Sequence, residues 1–146
     1  MTVDVQVETT IGRPVADVAT FAGDPTNAPL WYANIRSVTW KTPPPVAVGS
    51  RMDFVAQFLG RRLAYTYEVV ELDPERRLVM RTTDGPFPME TTYTWESTGT
   101  EHTRMTLGNR GNPTGFSHIV APVMERAIRR ATSQDLSRLQ ALLERG

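Results

Sequence analysis

The chain of 146 residues contains no cysteine and only two histidines, and these absences remove several kinds of chemistry at once. Without thiols there is no disulfide framework, no thiolate nucleophile and no cysteine-based metal centre. His102 and His118 have no cluster of carboxylates around them and do not form a ligand signature, so no metal is expected. Net charge is missing as well, because 16 Lys plus Arg balance 16 Asp plus Glu. A chain with no overall field has no electrostatic grip on nucleic acid or on an anionic membrane surface, and neither is expected as a partner. No apolar run approaches the ~20 residues that cross a bilayer, and the opening MTVDVQVETT lacks the basic and apolar regions of a secretory signal. The expectation is a cytoplasmic protein without an integral membrane segment. Residues 1–146 read as one domain, long enough to bury a core without covalent staples.

What the sequence does have is alternation. Val3, Val5, Val7, Thr9 and Ile11 fall on one side of an opening strand, with Asp4, Gln6, Glu8 and Thr10 on the other. Gly12-Arg13-Pro14 ends it, and Pro14 suits the first position of a helix that carries Val15, Val18, Ala19 and Ala22. Asp24-Pro25 starts a second short helix or turn bearing Leu30, Trp31 and Tyr32, before strand two at Ile35 to Lys41. Period two then returns five times. Met52, Phe54, Ala56 and Phe58 share a face, as do Leu63, Tyr65, Tyr67 and Val69, and then Leu78, Met80 and Thr82. Met89, Thr91, Tyr93 and Trp95 follow, and after them Thr103, Met105, Leu107 and Asn109. Turns at Gly60, Asp73-Pro74-Glu75, Asp84-Gly85-Pro86 and Gly99 separate these runs, which predicts a seven-stranded antiparallel sheet with one wet face.

The last third changes period. Phe116, Val120, Val123, Ala127, Ile128, Ala131, Leu136, Leu139 and Leu143 recur every three or four residues, while Arg126, Arg129, Arg130, Asp135 and Arg138 take the other side. The spacing predicts one long amphipathic helix from about Gly115 to Glu144, with a kink or a fresh start at Pro122. One long helix and two short ones are thin cover for seven strands, so a curved sheet gripping the long helix leaves a cavity between them.

Several stretches carry a family likeness: FAGDPTNAPLWYANIRSVTW, the entry VGSRMDF, the hairpins YTYEVVELDPERRLVMRTTDGPFPMETTYTWES and the ending RRATSQDLSRLQALLE. In this order the chain resembles the START-like (SRPBCC) superfamily over nearly its whole length. It is most similar to the bacterial polyketide cyclase/dehydrase-type branch, with the plant Bet v 1 proteins as more distant relatives. The resemblance implies an α+β helix-grip fold: a seven-stranded curved antiparallel sheet around a long C-terminal helix, with two short helices between strands one and two. It implies a hydrophobic cavity that binds a lipid, a polyketide or a similar molecule, and it leaves function open because that fold serves many.

Parity sorts the inner face. Tyr65, Tyr67, Tyr93, Thr91 and Asn109 supply polar atoms there, whereas Asp53, Glu68, Arg81, Glu90, His102 and Arg104 fall outside, so a lining without charge is expected. Candidate ligand contacts are Trp31, Tyr32 and Trp40 near strand two; Phe54, Phe58, Tyr65, Tyr67 and Met80 on the next strands; Met89, Tyr93, Trp95, Met105 and Asn109 beyond them; and Phe116, Val120 and Val123 on the terminal segment. Trp31 and Tyr32 are placed to plug one end of the cavity. Phe87, between Pro86 and Pro88, is either a rigid hairpin tip or a gate. No inward pair of carboxylates and no histidine beside a carboxylate is evident, and His118 is the one histidine whose position admits an inward orientation. The reading is therefore a binder of a small hydrophobic or aromatic molecule, a monomer or weak homodimer, with no cofactor. A polyketide aromatase/cyclase or dehydratase using the same cavity is one alternative, and a protein-interaction module is another.

Overall fold

The computed structural model describes residues 2–116 and 119–145, so His118 lies outside the described residues. Its strands are β1 (Val3–Ile11), β2 (Ile35–Trp40), β3 (Arg51–Phe58), β4 (Arg61–Asp73), β5 (Arg77–Asp84), β6 (Met89–Gly99) and β7 (His102–Gly111). All belong to one antiparallel sheet in the order β1-β7-β6-β5-β4-β3-β2. Helix α1 (Val15–Ala22), a 3-10 turn at Pro25–Asn27 and helix α2 (Ala28–Trp31) separate β1 from β2. Helix α3 (Ala121–Arg145) closes the chain. The sheet, the pair of short helices and the helix-grip arrangement follow the reading above.

Because partners in an antiparallel pair point to the same side, the register lays out the inner face as rows. Val69, Met80, Thr91, Asn109 and Val5 form one row from β4 to β1. Beside it run Trp40, Met52, Tyr67 and Thr82, and beyond those Phe54 opposite Tyr65. Register shifts in the β4–β5 ladder, between Thr66 and Tyr67 and between Val69 and Glu71, insert extra residues that bend the sheet. The second shift also reverses parity, so Leu72 rather than Glu71 packs against the core.

Two helix boundaries differ from expectation. Pro14 does not open α1 but precedes it with an extended backbone, its carbonyl accepting the N–H groups of Asp17 and Val18 at 3.0 and 3.1 Å. The long helix does not begin near Gly115: Thr114–Phe116 form a separate 3-10 turn, and α3 starts afresh at Ala121 with Pro122 in its first turn. There the missing proline N–H has no intrahelical acceptor to lose. The 25 residues of α3 span about 37 Å at the usual rise per residue.

The buried stripe of α3 is Met124, Thr132, Asp135, Leu136, Leu139 and Leu143. Val120 and Val123, expected on it, are 66% and 49% exposed, because the stripe begins one residue later, at Met124, where the helix first meets the sheet. Asp135, expected on the solvent side, is buried. The core falls into two clusters. One, around Trp31, Ile11, Met105 and Leu139, fills the end beneath α1 and α2. The other, around Val3, Leu63, Phe87, Phe116 and Met124, sits at the opposite end.

Candidate functional site

A cavity of about 160 Å³ lies between the sheet and α3, its walls drawn from both clusters. Phe54, Ala56 and Phe58 come from β3, Leu63, Tyr65 and Tyr67 from β4, and Met80 from β5. Met89, Thr91 and Tyr93 come from β6 and Asn109 from β7, with Ile128, Ala131, Thr132 and Asp135 of α3 above them. The rings are ordered against one another: Phe54 stacks on Tyr65 at 5.5 Å, and Tyr67 meets both edge-on at 5.6 and 5.1 Å. The volume is close to that of a dry engineered cavity that takes up benzene, about 150 Å³, and below the ~300 Å³ at which drug-sized sites begin.

A chain of hydrogen bonds crosses this wall from β4 to α3. The Thr132 hydroxyl donates to the Ile128 carbonyl at 2.7 Å and accepts from Asn109 Nδ2 at 3.1 Å. Thr91 donates to Asn109 Oδ1 at 2.9 Å, and the Tyr67 hydroxyl lies 2.7 Å from Thr91 Oγ1. The directions are fixed by counting protons. Each hydroxyl has one proton to give, and that of Thr91 is committed to Asn109, so Tyr67 donates to Thr91. A flipped Asn109 amide would set its oxygen against Thr132, whose proton is already used. Tyr67 therefore has no proton left for the cavity and presents only lone pairs.

The second polar feature joins three elements. Tyr32, at the end of α2, and Tyr93 share a hydrogen bond of 2.7 Å between their hydroxyls. Beside them Asp135 accepts the Ala33 N–H on Oδ1 at 3.0 Å and has no further partner among the described residues. Burial raises the Asp135 carboxyl to about 6, with the Ala33 N–H and then the charge of Arg138 opposing that rise. Arg138 itself points away, donating from Nε to the Leu30 carbonyl at 3.0 Å. Burial also pushes the phenols of Tyr32, Tyr65, Tyr67 and Tyr93 above their ordinary value, so all four stay neutral. At Tyr32 and Tyr93 the nearby Asp135 charge adds to that rise.

Three phenylalanines of the lining meet in the second core cluster. Phe116 contacts Phe58 edge-on at 5.8 Å and Phe87 at 6.4 Å, and the Arg61 guanidinium lies 5.4 Å over the Phe116 ring while bonding the Gly115 carbonyl. Phe87 is held there by the β5–β6 turn, in which Gly85 has φ +153° and a Cβ would lie 2.8 Å from the Tyr65 Cβ. Only glycine fits that approach.

Of the residues singled out in the sequence, Tyr32, Phe54, Phe58, Tyr65, Tyr67, Met80, Phe87, Met89, Tyr93, Asn109 and Phe116 line the cavity. Six do not. Trp31 is fully buried behind Tyr32, its ring 4.2 Å from that of Tyr32 and 5.7 Å from that of Tyr93, and packs the core instead. Met105 is likewise core. Trp40 and Trp95 line a separate groove with Pro44, Pro45, Val46 and Leu72; the Trp40 indole donates to Thr26 Oγ1 at 2.9 Å. Val120 and Val123 face solvent. The expectation of a lining without charge is corrected: Glu90, expected outside, and Arg110 stand in the wall as an ion pair at 3.6 Å, and Asp135, which sequence reasoning misses, lines it too. Its position four residues before Leu139 and three after Thr132 is the available signal.

A sheet wrapped on one long helix with an aromatic-walled cavity between them defines the helix-grip class. Within it, the chain belongs to the family described as polyketide cyclase / dehydrase and lipid transport, which matches residues 2–144. No curated protein matches the chain. Among solved structures, a START superfamily protein from Mycobacterium smegmatis superposes with a TM-score of 0.83 at 12% identity, covering 97% of each chain. A protein from Thermus thermophilus gives 0.80 at 20% identity, with 94% of each chain covered. The Zhui aromatase/cyclase from Streptomyces sp. R1128 gives 0.78 at 17% identity, covering 99% of this chain and 95% of the other. At such identities the likeness establishes the fold alone. Among the described residues no helix is long and apolar enough to cross a membrane.

Proposed function

We propose that the protein holds a small, largely apolar molecule in the cavity between the sheet and α3. The observation that carries this is the cavity itself, about 160 Å³ walled by stacked aromatic and methionine side chains beneath a helix. The family's description, which joins polyketide chemistry with lipid transport, supports the same reading. A ligand that binds only the folded chain stabilises it by about 2.7 kcal/mol at a hundredfold excess over Kd. For a domain of this length that raises Tm by roughly 5–10 °C. A thermal-shift screen of one- and two-ring aromatics and short acyl chains with no shift at saturation would defeat the proposal.

One observation favours a second reading, an enzyme of the cyclase or dehydratase kind. Burial pushes the Asp135 carboxyl up to about 6, within reach of neutral pH, and the group stands near the Tyr32–Tyr93 hydroxyl pair in the cavity wall. A carboxylate so tuned takes a proton α to a ketone, while a phenolic hydroxyl donates to the enolate oxygen that forms. Turnover of a synthetic poly-β-ketone thioester that disappears in Asp135→Asn while binding persists is the result this reading requires.

A further inference from the structure

We infer that the cavity selects a one-ring-sized molecule bearing a cationic amine, with Asp135 as the group that receives the ammonium. This rests on the proposal that the cavity is a binding site and specifies its ligand. Three observations converge on it. Asp135 is only 4% exposed and lines the cavity, yet its single hydrogen bond comes from Ala33, on Oδ1. Its nearest cation in sequence, Arg138, donates to the Leu30 carbonyl and acts on the carboxylate through its charge alone, so no side chain among the described residues forms a hydrogen bond or ion pair with it. A buried charge with one partner is costly, and a guest that brings a matching donor relieves that cost.

The second observation is the direction of the hydrogen-bond chain. With its proton given to Thr91, the Tyr67 oxygen offers the cavity an acceptor and no donor. The third is the cluster of aromatic rings in the wall, Phe54, Tyr65 and Tyr67, a kind of lining that attracts a cation through ring quadrupoles. A carboxylate, a committed phenol oxygen and an aromatic lining all favour a donor with positive charge. They disfavour an anion of the same size. The volume limits the apolar part to about one ring.

The groups facing Asp135 are Tyr32 from the end of α2, Tyr93 from β6 and the charge of Arg138 on its own helix; the other charges in the cavity wall, Glu90 of β6 and Arg110 of β7, are paired with each other at 3.6 Å, and Glu90 also with Arg81 at 2.8 Å. Both phenols stay neutral, so the carboxyl is the group whose protonation changes amine binding as pH falls.

The test is a matched set of probes, 2-phenylethylamine, ethylbenzene and 3-phenylpropionate, titrated calorimetrically at pH 7.5. The amine is expected to bind roughly ten- to a hundredfold tighter than ethylbenzene, with the acid weakest. In Asp135→Asn the amine's advantage should shrink to about twofold or less while ethylbenzene binding is retained. Lowering the pH of the wild-type protein to 4.5 should remove the same advantage, which gives an answer even if the variant does not fold. Equal binding of amine and ethylbenzene overturns the inference and leaves the cavity proposal standing. An amine preference that survives Asp135→Asn also overturns it. If no probe binds at all, the inference falls, and the thermal-shift screen decides the cavity proposal separately.

Discussion

Asp135 shows how a single side chain sets a balance against the fold. Its carboxyl is easier to protonate in the folded chain than in the unfolded one, because burial disfavours its charge. Between about pH 4 and 6 the folded state therefore holds more protons, and its stability falls as pH rises through that window. Asp135→Asn keeps an oxygen for the Ala33 N–H and removes the charge. The variant should be more stable than wild type by about 1–3 kcal/mol at pH 8, with the gain gone by pH 4. Urea unfolding at the two pH values reads this directly. The Tyr32–Tyr93 pair makes the opposite case, since each hydroxyl depends on the other at 2.7 Å. Either Tyr→Phe change alone should cost about 1–2 kcal/mol by stranding its partner, and the double variant should cost less than the sum. A double-mutant cycle with no coupling would show that the two hydroxyls are satisfied separately.

Among whole elements, the strands are legible in the sequence and the helix faces less so. Strand parity can be read because one face of the sheet is wet, which forces polar and apolar residues to alternate; Tyr65, Tyr67 and Tyr93 are placed inward on that basis and line the cavity. Parity is blind to bulges, which is why Leu72 escapes it. It also does not say which inward residues face a void and which face a neighbour. Trp31 and Met105 point inward and pack solidly, because α1 and α2 fill that end. For α3 the error is one of default: a charged residue is sent to the solvent side although 132, 135 and 139 lie on one stripe. The β5–β6 turn carries a test at this scale. Gly85→Ala must push against Tyr65, a residue of the cavity wall, and it should destabilise by about 1–3 kcal/mol while weakening ligand binding. Chemical denaturation alongside probe titration separates the two effects.

For the molecule as a whole, connectivity matters more than any contact. β1 pairs with β7, joining Val5 to Asn109 across most of the chain, whereas β3 to β7 join neighbour to neighbour through hairpins. Pairings so distant in sequence close late and make folding slow, in the millisecond-to-second range. Val5→Ala should accordingly speed unfolding and leave the refolding rate nearly unchanged in stopped-flow chevrons. A matching loss in the refolding arm would mean that β1 docks early.

The same connectivity leaves the sheet with two outer borders, and they are finished differently. Along β1 the long helix acts as a selvedge: Arg129 bonds the Gln6 carbonyl at 3.2 Å, Thr9 bonds Gln140, and Glu144 takes the Gly12 N–H. Among the described residues no hydrogen bond joins α3 to β2, and that strand is protected by brevity, six residues with an irregular register at Ile35 and Ser37, and by the prolines that follow. Strand-by-strand polymerisation of this protein thus has one flank to start from, and lengthening or straightening β2 is the change that would open it.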